Sequence, residues 1–87
     1  MYRILIKKSA QKQLAALPLS AATRIADAID GLASNPRPYG TKKLQGYDNV
    51  YRIRIADYRV VYSIEDKILT IEIIKIGHRK DVYTFPR

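Results

Sequence analysis

Apolar and polar residues alternate at the start of the chain. Tyr2, Ile4 and Ile6 share one face, with Arg3, Leu5 and Lys7 between them, which predicts a half-buried strand. The period then lengthens. Ala10, Leu14 and Leu17 recur at helical spacing behind Ser9, a candidate cap. Pro18 should end this first helix, because it lacks an N–H and clashes with the preceding turn. Ser20 is placed to cap a second helix. Its apolar stripe is Ala22, Ile25, Ala26, Ile29, Leu32 and Ala33, with Thr23, Arg24, Asp27 and Asp30 toward water.

The run Asn35-Pro36-Arg37-Pro38-Tyr39-Gly40 reads as a turn-rich loop, and three strands should follow it. The first, Val50 to Ile55, sets Tyr51, Ile53 and Ile55 on one face and Arg52 and Arg54 on the other. A tight turn at Ala56-Asp57 leads to the second, Tyr58 to Ile64. A hairpin at Glu65-Asp66-Lys67 leads to the longest, Ile68 to Ile76. Short connections make these strands antiparallel neighbours, so the N-terminal strand has to pair with an edge. The expected fold is one α+β domain over residues 1–87. It is an antiparallel sheet of about four strands with two N-terminal helices packed on one face, in the order β-α-α-β-β-β.

Composition narrows the chemistry. The 87 residues bury roughly 60–65% of their unfolded surface, enough for a thin core. No cysteine is present, which excludes disulfides and thiolate metal sites. Carboxylates are few and scattered over turns and the polar side of a helix; only Glu72 is mid-strand. No spaced cluster exists to hold magnesium, so neither a metal nor another cofactor is expected. The opening residues are too charged for a signal peptide, and no apolar run approaches a membrane span. The expected location is the cytoplasm.

Sixteen Lys and Arg against eight Asp and Glu give a net charge of +8. A small basic domain attracts polyanions, nucleic acid above all. Position sharpens this. Arg52 and Arg54 share a strand face about 7 Å apart and repel each other unless an anion lies between them. Lys42 and Lys43 precede them, and Arg59 opens the next strand, where a hairpin can bring it alongside. Arg79 lies just past the long strand, after Gly77, which should relax the backbone and turn the following residues over the sheet edge. Guanidinium groups grip phosphate oxygens in a planar, two-pronged way and stabilise a developing phosphorane charge. His78 and Tyr83 are the candidate proton-transfer groups, and Tyr83 can also stack on a base. Without a metal, any cleavage has to use the ribose 2′-hydroxyl as nucleophile, which DNA lacks.

These segments together resemble a known family. Lys42-Lys43-Leu44-Gln45-Gly46, Tyr51-Arg52-Ile53-Arg54-Ile55, Tyr58-Arg59-Val60-Val61-Tyr62 and Gly77-His78-Arg79-Lys80-Asp81-Val82-Tyr83 are similar to the RelE toxins of type II toxin–antitoxin pairs. The resemblance spans essentially the whole chain. It implies a ribosome-dependent endonuclease that cleaves messenger RNA in the ribosomal A site and is held by a cognate antitoxin. By the same resemblance, Arg59 binds and polarises the scissile phosphate and Arg79 stabilises the transition state. Tyr83 orients the substrate and helps activate the 2′-hydroxyl. Arg52, Lys42, Lys43 and Lys80 contact RNA. Arg52 and Arg54 stand where the family pattern has lysines; arginine stays protonated, so Arg54 is assigned charge stabilisation. His78 also replaces a lysine, leaving the base at His78 or Tyr83. Tyr58-Arg59-Val60-Val61-Tyr62 is shared by the wider RelE/ParE superfamily. The alternatives are therefore a ParE-like inhibitor of DNA gyrase and a non-toxic RNA-binding relative.

Overall fold

A computed structural model describes residues 1–78. The elements run β1 (Arg3–Ile6), α1 (Lys8–Ala15), α2 (Leu19–Leu32), β2 (Lys42–Lys43), β3 (Val50–Ile55), β4 (Tyr58–Glu65), a 3₁₀ turn (Asp66–Ile68) and β5 (Thr70–His78). The strands form one five-stranded sheet in the order β1-β5-β4-β3-β2. The α+β class and the edge position of β1 match the sequence reading. β1 lies parallel to β5, and every other pairing is antiparallel.

Period-two alternation sorts the two faces. Ile53, Val60, Tyr62, Ile64, Ile71, Ile73 and Ile76 pack with Ala10, Ile25, Ile29 and Leu32 of the helices, forming the core. Val50 and Val61, with Leu44 and Ile74 against them, form a small second cluster on the face away from the helices. Ile73 pairs with Tyr62 and Lys75 with Val61, so Ile74 is an extra residue in β5. This bulge lets Ile73 and Ile76 both enter the core while returning Lys75 to the open face.

Several expected boundaries move. Neither Ser9 nor Ser20 caps a helix. Lys7 precedes α1, and its carbonyl accepts the Gln11 N–H at 2.9 Å; Pro18 precedes α2, and its carbonyl accepts the Ala22 N–H at 2.9 Å. Proline's fixed φ suits a helix start, so Pro18 opens α2 where the sequence reading had it end α1. The last strand starts at Thr70, not Ile68, because Asp66–Ile68 is a 3₁₀ turn and Leu69 is left-handed (φ 48°). β2 was missed because two residues carry no periodicity. Gly77 does not turn the chain: it stays within β5 opposite Arg59.

Two backbone bonds fix which way the groups of β3 point. Leu44 N–H donates to the Val50 carbonyl (2.8 Å), and Ile64 N–H donates to the Asn49 carbonyl (2.9 Å). Antiparallel pairs alternate between bonded and non-bonded. Val50, Arg52 and Arg54 therefore direct their backbone groups toward β2, and Tyr51, Ile53 and Ile55 toward β4.

β5 has a comparable edge problem. Its pairing with β1 ends at Ile6 opposite Ile73, and α1 covers it from there. The Ile76 N–H, past the end of that pairing, is met by the side-chain oxygen of Gln13 on α1 at 2.8 Å.

The loop between α2 and β2 is tied to the sheet by aromatic groups. Tyr62 Oη donates to the Pro36 carbonyl at 2.8 Å, and the Tyr62 ring stacks on Tyr51 with centroids 6.2 Å apart. The Arg37 guanidinium lies 5.0 Å from the centre of the Tyr51 ring and pairs with Asp66 at 2.9 Å. Asp66 also accepts from Tyr2 Oη at 2.5 Å.

Candidate nucleic-acid interface

The open face of the sheet carries cations in two rows. Lys42, Arg52, Val61 and Lys75 are successive cross-strand neighbours from β2 to β5. Arg54, Arg59 and Gly77 form the second row, toward the β3–β4 hairpin. The strand pattern places these side chains here because each is even in β3 or odd in β4, out of phase with the core residues.

Arg54 and Arg59 form a non-hydrogen-bonded pair, the kind with Cα atoms only ~4.5 Å apart and side chains closest. Like charges directly opposite one another destabilise a sheet, and their repulsion grows several-fold from water to a protein surface. An anion shared by both guanidiniums reverses the sign of that interaction. Arg59 is only 8% exposed, while Arg54 is exposed. On the β5 side Gly77 contributes no side chain. A partly desolvated guanidinium next to an accessible one can grip a phosphate more strongly than two wholly exposed ones.

Arg54 has a local role too. Its Nε donates to the Ala56 carbonyl at 3.2 Å, bracing a two-residue hairpin in which Ala56 sits at φ 55°. A non-glycine residue there is uncommon and costs on the order of 1 kcal/mol.

Arg52, Arg54, Arg59 and Lys42 are brought together on the open face. Lys43 is opposite Tyr51 and belongs to the other phase of the strand, so period two separates it from Lys42. His78 stands opposite Tyr58, with ring centroids 6.0 Å apart and planes at 80°, in the phase of the core. The fold therefore directs His78 away from the Arg54–Arg59 pair. Arg79, Lys80 and Tyr83 lie outside the described residues. Lys75 is a cation of this face that the sequence reading left out. The signal was the doubled apolar step at Ile73-Ile74, which marks the bulge and resets the phase before Lys75.

Among the described residues no group of three or more His, Cys, Asp or Glu could hold a metal ion. None of their helices is long and apolar enough to cross a membrane.

Residues 4–83 match the family described as the ParE toxin of the type II toxin–antitoxin system, parDE. A relative named RelE1 from Methanocaldococcus jannaschii is 36% identical over 90 residues, covering 98% of each chain. Toxin RelE of Mycobacterium tuberculosis is 32% identical over 83 residues, covering 94% of this chain and 86% of its own. Among solved structures, the archaeal RelE–RelB complex from Pyrococcus horikoshii superposes with a TM-score of 0.80 at 36% identity, over 90% of this chain and 94% of that one. A basic sheet face on this topology, a family match across most of the chain and relatives alike at full length converge: the chain belongs to the RelE family of toxins, within the RelE/ParE superfamily of type II toxin–antitoxin systems.

Proposed function

We propose that this protein is a ribosome-dependent messenger-RNA endonuclease that cleaves in the ribosomal A site without a metal and so inhibits translation in the cytoplasm. The observation that carries this reading is the Arg54–Arg59 pair: two facing guanidiniums, one nearly buried, beside a strand position without a side chain. In the proposed reaction the 2′-oxygen attacks the adjacent phosphorus. The new P–O2′ bond forms as the P–O5′ bond breaks, leaving a 2′,3′-cyclic phosphate and a 5′-hydroxyl. Arg54 and Arg59 hold the phosphate and offset the charge that builds on its oxygens. Arg79 is proposed to add to that stabilisation. Lys42, Arg52 and Lys75 line the neighbouring row and steer the RNA backbone. The 2′-proton passes to a group on the segment after Gly77, where His78 and Tyr83 are the candidates, and the departing 5′-oxygen takes up a proton from solvent to become the 5′-hydroxyl. Tyr83 fits the role better, because His78 shares the phase of the core.

The solved structures of relatives from P. horikoshii and M. jannaschii are complexes of RelE with a RelB antitoxin. We propose that a cognate antitoxin likewise restrains this chain.

The test is induction in cells followed by mapping of messenger-RNA 5′ ends. Cuts within coding frames that vanish when initiation is blocked support the reading, as does loss of growth arrest in folded Arg59→Ala and Tyr83→Phe variants. The ParE description of the matching family favours one second reading, inhibition of DNA gyrase. Growth arrest with a DNA-damage response and uncut messenger RNA would establish that reading and remove the first.

A further inference from the structure

The open face carries a third row beyond the two rows of cations. Val50, Ser63, Glu72 and Leu5 are successive cross-strand neighbours from β3 to β1. Adjacent rows lie about 7 Å apart along the strands. The third row therefore borders that of Lys42, Arg52 and Lys75, on the side away from the Arg54–Arg59 pair. Its character differs. Val50 and Val61 are buried, and half-buried Leu44 and Ile74 pack on them, giving an apolar floor. Ser63 and Glu72, also half-buried, set a hydroxyl and a carboxylate beside that floor.

Glu72 needs an explanation on such a face. A carboxylate repels the phosphates of a polyanion and so weakens binding to its backbone. A charge-balancing role would call for a cation in contact. Its cross-strand neighbours, however, are Ser63 and Leu5, and among the described residues no ion pair or hydrogen bond holds its side chain. Base edges differ from phosphates: they carry N–H donors, which a carboxylate accepts.

We propose that this third row is a base-reading site, in which Glu72 accepts the Watson–Crick N–H groups of a guanine lying on the apolar floor. The proposal rests on the reading that this face binds RNA. A nucleotide whose phosphate is held by Lys42, Arg52 and Lys75 lays its base over the next row, with one face on Leu44 and Ile74. Guanine is the base that fits. Its adjacent N1–H and N2–H groups meet the two carboxylate oxygens in parallel. Adenine and cytosine set an acceptor beside their amino group, which a carboxylate repels, and uracil offers one N–H between two carbonyls. The Ser63 hydroxyl both donates and accepts, so it supports the base without selecting it.

The test titrates the full chain, by fluorescence anisotropy, with uncleavable 2′-fluoro oligomers of uridine. One is uridine throughout, and the others carry a central guanosine, adenosine or cytidine. The guanosine oligomer should bind at least about fivefold more tightly than the rest. Glu72→Gln keeps the size of the side chain but turns one acceptor into a donor. The preference should then pass to adenosine or cytidine, whose edges set a donor beside an acceptor. In Glu72→Ala the guanosine oligomer should weaken while the all-uridine one holds or tightens, because a repulsive charge has gone. Equal gains for every oligomer in both variants would mean that Glu72 acts on backbone charge alone and would overturn the proposal. Equal binding of all the oligomers by the parent would overturn it too, and leave the RNA reading of the face standing. No binding of any oligomer by the folded parent would remove both.

Discussion

Gln13 is the residue whose removal tests most directly how the sheet is held at its functional end. Its side-chain oxygen accepts the Ile76 N–H at 2.8 Å, past the point where β1 stops pairing with β5. Gln13→Met keeps length and helix propensity but deletes the acceptor. A buried donor left without a partner costs about 1–3 kcal/mol, and partial burial puts this one toward the lower half, about 1–2 kcal/mol. For a domain of this size that is a fall in Tm of roughly 4–16 °C. Gln13→Glu retains an acceptor oxygen and should recover most of the loss. Calorimetry gives the Tm, and amide exchange should show the Ile76 N–H opening faster than core amides such as that of Val60. A Gln13→Met protein that melts within a degree of the parent, with Ile76 exchange unchanged, would refute the reasoning. The position matters for function because Ile76 precedes Gly77, which lies opposite Arg59.

Gly31→Ala should stabilise the isolated protein by about 0.5–1 kcal/mol, read as an upward shift in denaturation midpoint, since the new methyl meets no atom within 4 Å. The hydrogen bond from Arg37, with that from Tyr2, holds Asp66 below the usual carboxylate range. Its contribution is therefore present above about pH 4 and lost as pH falls through the lowered folded value, and Arg37→Gln should flatten that acid limb of the stability–pH curve. Burial raises the Tyr62 phenol, so folding favours the proton and stability should fall as pH rises above about 10; Tyr62→Phe should remove that slope. Arg54→Glu replaces a like-charge pair with an opposite-charge one, a gain of about 0.2–1 kcal/mol that loss of the Nε bond to the Ala56 carbonyl offsets. Urea melts should therefore shift by less than about 1 kcal/mol, while filter assays show RNA binding abolished.

The elements with strong periodicity were legible in the sequence: α2 through Ile25, Ile29 and Leu32, and β3 through Tyr51, Ile53 and Ile55. The same period-two rule puts Arg52 and Arg54 on one face, and the hairpin length brings Arg59 to them. What could not be read were features without a repeating pattern. β2 is held by pairing to β3, not by any preference of Lys42-Lys43. The parallel sense of β1 follows from two helices returning the chain to the start of the sheet. Lys75 and His78 could not be placed from spacing alone, because the bulge at Ile74 shifts the phase of everything after it. That shift turns Lys75 to the open face and His78 toward Tyr58.

The cross-strand register also bears on why this face carries function. A sheet selected only for stability would alternate charges across β3 and β4, because opposite pairs stabilise and like pairs do the reverse. Here Arg54 faces Arg59 at the closest kind of cross-strand position, and Arg52 faces Lys42 on its other side. Burial of Arg59 makes that choice more costly still, since a desolvated charge interacts over a longer range. An RNA phosphate bridging the two guanidiniums would offset that like-charge arrangement, which is what a face shaped to bind a polyanion needs.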